Sequence, residues 1–169
     1  MRIKNIILIG MPGAGKSTIG VVLAKNLGMS FIDADLVIQE QEGKKLHDII
    51  EERGENGFIE IEGRVNASLN PKTAVIATGG SVIYSPNAME HFERLGLICY
   101  LKLSYESIAE RLGDLAERGV ILGKGRTLRN LYDERVPLYE KYANITLECE
   151  NKNIREIVVE LSKWIERLR

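Results

Sequence analysis

Residues 10–17 read Gly-Met-Pro-Gly-Ala-Gly-Lys-Ser, a complete GxxxxGK(S/T) pattern between a β-branched apolar run and an amphipathic segment. No other feature constrains the fold as strongly, because this pattern works only as the turn from a strand into a helix. A glycine-rich turn lets successive backbone N–H groups point inward at phosphate oxygens, and the helix that follows adds the positive end of its dipole. In that geometry Gly13, Ala14, Gly15 and Thr18 belong to the cradle, Lys16 reaches the β- and γ-phosphates, and the Ser17 hydroxyl ligates Mg2+. Bulky side chains in the turn would block the approach.

The rest of the chain agrees with a strand–turn–helix start. Short β-branched runs at 4–9, 30–33, 74–78, 97–103 and 144–148 alternate with longer amphipathic segments. That alternation predicts an α/β fold: a five-stranded parallel sheet with helices on both faces. Ile19, Val22, Leu23 and Leu27 keep one face of a helix that starts at Lys16, and Gly28 supplies its stop. Ile154, Ile157, Val158, Leu161, Ile165 and Leu168 form the stripe of a C-terminal helix, with Asn153 as N-cap. From about 35 to 70 the apolar positions thin out and Gly43, Gly54, Gly57 and Gly63 interrupt them, which predicts short helices in a small side lobe. Four glycines between 113 and 125, near Arg118, Lys124 and Arg126, predict a mobile lid over 112–126. No repeat or linker divides residues 1–169, so a single domain is expected.

Composition excludes several function classes. With 23 Lys plus Arg against 24 Asp plus Glu, the formal charge is -1, without the basic surplus that a nucleic-acid partner requires. Two cysteines, Cys99 and Cys149, are too few for a disulfide scaffold and lack metal-ligand spacing. The first apolar run, Ile6 to Ile9, is closed by Gly10 and Pro12, too short for a signal segment or a membrane span. A cytoplasmic monomer with a small-molecule substrate, and neither nucleic-acid nor membrane partner, is the resulting expectation. Guanine-specific switches carry NKxD and DxxG; Asn151-Lys152-Asn153-Ile154 lacks the Asp that the base needs, and no DxxG is present. A small ATP-dependent phosphotransferase is the economical reading.

Phe31-Ile32-Asp33-Ala34-Asp35 places two carboxylates at the end of the second strand, the edge that faces the ligand crevice in parallel α/β sheets. Strand alternation sends Asp33 and Asp35 to one side if extended geometry persists. One then holds magnesium through water and the other takes a proton from an acceptor hydroxyl; the competing role is capping of the next helix.

With these residues the chain resembles the shikimate kinases, small P-loop kinases of the nucleoside-monophosphate-kinase group. The likeness runs through GMPGAGKS, FIDAD, GENGFIEIE, ATGGS, ERGVIL and ERVPLYEKYA in matching order. The resemblance implies a P-loop fold with a substrate-binding lobe and a lid, and ATP-dependent conversion of shikimate to shikimate 3-phosphate in aromatic amino acid biosynthesis. It implies that Lys16 and Ser17 serve phosphate and Mg2+, that Asp33 supports the metal through its hydration shell, and that Asp35 binds the acceptor hydroxyls, as base or as hydrogen-bond acceptor. Gly79 and Gly80 would offer backbone N–H groups to the acceptor, and Arg135 would grip its carboxylate by a two-pronged contact. Arg118 would close onto the transferring phosphoryl group. Arg111 would stack on adenine or, alternatively, lie on a solvated helix face.

The pattern breaks in the acceptor pocket. Ile59 stands where the family carries a second carboxylate-binding arginine, Ser81 replaces the third glycine of a triple-glycine turn, and Gly119 follows Arg118 where proline is usual. Loss of one charge-assisted contact weakens carboxylate binding by roughly 1.5 to 3 kcal/mol. Arg64, Arg126 and Arg129 are candidates to compensate, each with a simpler role as an exposed charge. Two alternatives therefore stand beside shikimate phosphorylation: a kinase of another small alcohol, and a nucleotide-binding regulatory module without phosphotransfer.

Overall fold

A computed structural model describes residues 3–117 and 126–168. Five strands, β1 (Asn5–Ile9), β2 (Ser30–Asp33), β3 (Ala74–Ala77), β4 (Leu97–Lys102) and β5 (Ile145–Glu148), form one sheet in the order β2-β3-β1-β4-β5. Every pairing is parallel, as the alternating pattern predicts. Successive strand residues face opposite sides, yet all of β1 and β3 is buried, so helices cover both faces. The edge strands differ. In β5 buried and exposed residues alternate, and β2 is only partly covered.

Seven helices surround the sheet among the described residues: α1 (Lys16–Leu27), α2 (Ala34–Glu42), α3 (Leu46–Ser68), α4 (Pro86–Leu95), α5 (Tyr105–Glu117), α6 (Leu128–Tyr142) and α7 (Ile154–Arg167). Gly28 ends α1 in the left-handed conformation at φ 65°, where L-residues with a Cβ are strained. Asn153 begins α7 with a reciprocal capping box, its side chain accepting from Glu156 N while Glu156 accepts from Asn153 N. Of the α7 stripe, Ile157, Val158, Leu161 and Ile165 are buried, whereas Ile154 and Leu168 at its ends are exposed. Val22 of α1 is likewise exposed, so the buried face of that helix is narrower than its spacing suggests.

Residues 34–68 are largely helical, but where short helices are expected α3 runs for 23 residues, interrupted only by a kink at Gly54 (φ 72°, ψ 176°). They enclose a small apolar cluster of their own: Ile38, Ile49, Phe58 and Val65. Helix α5 breaks at Gly113 (φ 33°, ψ -117°). Of the lid predicted over 112–126, residues 118–125 lie outside the described residues, and Arg118 and Gly119 with them. No helix among the described residues is long and apolar enough to cross a membrane.

Candidate active site

The site forms where β1, β2 and β3 end. Leaving β1, the chain turns at Gly10 (φ 151°), Gly13 (φ 81°) and Gly15 (φ 90°), all in the region that glycine alone adopts readily. Gly10 is also held by space: a Cβ there would lie 2.9 Å from the Leu101 carbonyl oxygen. Helix α1 then starts with no side-chain cap and no acidic residue in its first turn. Its N-terminus therefore offers an anion an uncontested positive end.

Lys16 is buried, and its Nζ donates to the loop's own carbonyls, Gly10 O at 2.7 Å and Met11 O at 2.8 Å. Burial pulls its pKa down to about 8, against the opposing pull of Asp35, Glu62 and Asp33. The Ser17 hydroxyl donates to Asp33 Oδ2 at 2.9 Å. Hydroxyl and carboxylate oxygens are the hard donors that Mg2+ prefers, so this pair fits the metal.

The two carboxylates after β2 do not sit as strand alternation predicts. The strand ends at Asp33, whose Oδ1 accepts from Asp35 N at 3.0 Å and Leu36 N at 3.4 Å and caps α2. Extended geometry stops there because the capping bonds favour the helix, so Asp35 is carried round into its first turn. Asp33 is thus the cap as well as the partner of Ser17, while Asp35 is the freer group. Burial, followed by the charge of Asp33, raises the pKa of Asp35, and Lys16 opposes the shift. A carboxylate with raised proton affinity is suited to receive a hydroxyl proton.

Asp35 lines a cavity of about 320 Å3 together with Gly13, Gly15, Lys16, Ser17 and Thr18 on the loop side and Gly79, Gly80 and Arg135 on the other. Nearly every site residue proposed from the sequence and lying among the described residues is therefore in one place. Ala14, Asp33 and Arg111 lie outside this set: Asp33 is tied to it by Ser17, and Arg111 is exposed on α5, where Nη1 donates to Gly13 O at 3.3 Å and Ala14 O at 3.5 Å. Gly79 and Gly80 are required by close approach rather than by φ. A Cβ on Gly79 would fall 2.3 Å from Glu62 Oε2 and 3.0 Å from Asp35 Oδ1. On Gly80 it would fall 2.8 Å from the Pro12 ring and 2.9 Å from Arg135 Nη1.

Arg135 is 1% exposed, yet its Nε and Nη1 have no hydrogen-bond partner among the described residues. Its guanidinium stands 5.4 Å over the Tyr84 ring. A buried guanidinium with two unpartnered nitrogens is costly unless something it binds completes it. None of the candidate compensating arginines reaches the cavity lining. Arg64 pairs with Glu42 at 2.6 Å, Arg126 with Glu134 at 3.2 Å and Arg129 with Asp133 at 3.2 Å, all on the surface. Ile59 is half-buried and likewise absent from the lining.

Sequence reasoning missed Glu62. This carboxylate is 1% exposed and lines the cavity; its Oε1 accepts from Ser81 Oγ at 2.5 Å, while Oε2 has no partner among the described residues. The signal was available: Phe58, Glu62, Val65 and Asn66 share a buried face of α3, and an acid at i+4 from a core phenylalanine is out of place unless the site uses it. Ser81 therefore has a role, since its hydroxyl holds Glu62. Burial raises the Glu62 pKa from 4.5 to about 7, with Asp35 adding to the shift and Ser81, Arg135 and Lys16 opposing it. An acid that holds its proton more tightly when folded stabilises the fold below its unfolded pKa, and that contribution is lost as pH rises from about 4.5 to about 7. Glu62→Gln is accordingly expected to raise the thermal midpoint over wild type by more at pH 8 than at pH 5. An equal difference at both pH values in melting curves would contradict this.

The shikimate kinase family model matches residues 12–166. A shikimate kinase from Sulfurihydrogenibium sp. (strain YO3AOP1) is 35% identical over 165 residues, covering 97% of this chain and 99% of the relative. Among solved structures, shikimate kinase from Acinetobacter baumannii in complex with shikimate superposes with a TM-score of 0.88 at 31% identity, covering 99% of this chain and 95% of that one. A gluconokinase from Sinorhizobium meliloti, at 19% identity and TM-score 0.63 with 99% and 95% coverage, shares the fold alone. Motif order, sheet topology, cavity and near-full-length similarity coincide, and the chain belongs to the shikimate kinase family.

Proposed function

We propose that the chain transfers the γ-phosphoryl group of ATP to a hydroxyl of shikimate, giving shikimate 3-phosphate and ADP. Membership of a kinase family supports ATP as donor, and the A. baumannii relative with shikimate bound supports the acceptor. The observation that carries the reading is the convergence of Lys16, Asp35 and Arg135 on one cavity of about 320 Å3. The loop at 10–17 holds the phosphates, and Lys16 turns from its carbonyl partners to the β- and γ-oxygens. Ser17, with Asp33 acting through the metal's hydration shell, would hold Mg2+, whose chemistry there would be charge neutralisation at the phosphates. Arg135 takes the acceptor's carboxylate on its guanidinium, whose Nε and Nη1 have no partner among the described residues, and Asp35 receives the hydroxyl proton. The family resemblance gives Arg118, outside the described residues, the role of a cation for the transferring group, and Arg111 borders the nucleotide end of the loop.

The transfer is direct and in line, with catalysis by positioning and electrostatics. Shikimate-dependent ADP release, with a product gaining one phosphate by mass, is the expected result; release without phosphorylated acceptor would overturn the reading. Ile59→Arg restores the arginine that the family resemblance puts at this position and is expected to lower the shikimate KM about tenfold or more. A KM no lower than wild type in a folded variant would show that the missing contact does not limit recognition.

A further inference from the structure

The acceptor end of the cavity carries an unusual set of charges. Asp35 and Glu62 both line it, and a Cβ placed on Gly79 would touch an oxygen of each, so the two carboxylates face one point. Among the described residues, the only cations in the same lining are Arg135, whose guanidinium lies on the Gly80 side, and Lys16, which belongs to the phosphate loop. Glu62 is nine-tenths buried or more, held on one oxygen by Ser81 and unpartnered on the other among the described residues. Position 59, one turn before it on α3, supplies no cation, and the neighbouring arginines 64, 126 and 129 are committed to surface ion pairs. A buried carboxylate and a buried guanidinium, each with unused hydrogen-bonding capacity among the described residues, thus line one small site, against the adjacent Gly79 and Gly80. An acceptor carrying only a carboxylate and hydroxyls completes Arg135 and can give Glu62 a neutral donor, but brings it no counter-charge. One that also carries an ammonium completes both.

We propose that this site phosphorylates small hydroxylated amino acids, with the carboxylate on Arg135 and the ammonium on Glu62 beside Asp35. The inference rests on the phosphotransferase reading above and extends it to a second acceptor class. In the transfer, the acceptor oxygen forms a bond to the γ-phosphorus while the bond from that phosphorus to the β–γ bridging oxygen breaks. ADP leaves with that electron pair, and the hydroxyl proton passes to Asp35.

Matched acceptors test the ammonium contact directly. L-Serine, L-threonine and L-homoserine are compared with 3-hydroxypropanoate, 3-hydroxybutanoate and 4-hydroxybutanoate, which differ from them only in lacking the amino group. ADP release and product mass are measured with ATP, Mg2+ and the full chain, and shikimate is assayed in the same preparation. At least one amino acid is expected to be phosphorylated with kcat/KM about tenfold or more above its counterpart. Glu62→Gln is expected to shrink that ratio toward one, a change that a purely structural role for Glu62 would not produce. Ile59→Arg, three residues away on the same helix face, is expected to shrink it as well by giving Glu62 an internal partner. Phosphorylation of shikimate but of none of the amino acids would overturn this inference and leave the shikimate reading standing. Failure with every acceptor would overturn both. A ratio unchanged in both folded variants would remove Glu62 from the recognition of the ammonium.

Discussion

Lys16→Ala is expected to lower kcat by about 10^3-fold or more, the largest effect of any single substitution. The ammonium is buried at the start of α1 and bonded to two carbonyls of the loop that wraps the phosphates. No other basic side chain in the cavity lining is on that loop, so no described side chain takes its place at the β- and γ-oxygens. The loop itself is expected to survive, because its path is set by Gly10, Gly13 and Gly15 and by packing of Gly10 against the Leu101 carbonyl. Nucleotide binding by calorimetry and a melting curve separate the two effects. Turnover within tenfold of wild type would show that Lys16 does not act on the phosphates.

Arg135→Met is expected to raise the acceptor KM at least about hundredfold while the ATP KM changes little. A two-pronged contact to a carboxylate loses two charge-assisted hydrogen bonds, each worth about 1.5 to 3 kcal/mol. Methionine keeps much of the buried volume, and Arg135 leaves two donors unpaired among the described residues, so loss of the charge also removes a desolvation cost. The melting temperature is accordingly expected to hold or rise even as acceptor binding fails. Steady-state kinetics with each substrate varied in turn measures the split. An equal rise in both KM values would place Arg135 in general integrity of the fold instead of acceptor binding.

Why the acceptor side is less legible from sequence than the phosphate side follows from how each is built. The phosphate loop is local: eight consecutive residues, their backbone angles and the helix they open contain the whole device, so a pattern of residue types suffices. The acceptor pocket is assembled from α2, α3, the turn after β3, and α6, and no spacing in the chain announces which side chains will meet. Gly79 and Gly80 illustrate the difference. Their φ values demand nothing unusual; they are glycines because Glu62, Asp35, Arg135 and Pro12 arrive there from four other segments.

Strand positions, the parallel order, the Gly28 stop and the Asn153 cap were all readable from the chain, because hydrophobic periodicity and capping act over a few residues. So was the family, through motifs in fixed order. Only the tertiary structure decided that Asp33 caps α2 and frees Asp35, that Ser81 holds Glu62, and that Glu62 and Arg135 line one cavity. Each of these depends on hydrogen bonds and burial between residues brought together by the fold. Desolvation of a side chain is a property of everything packed around it, which no local stretch of sequence contains.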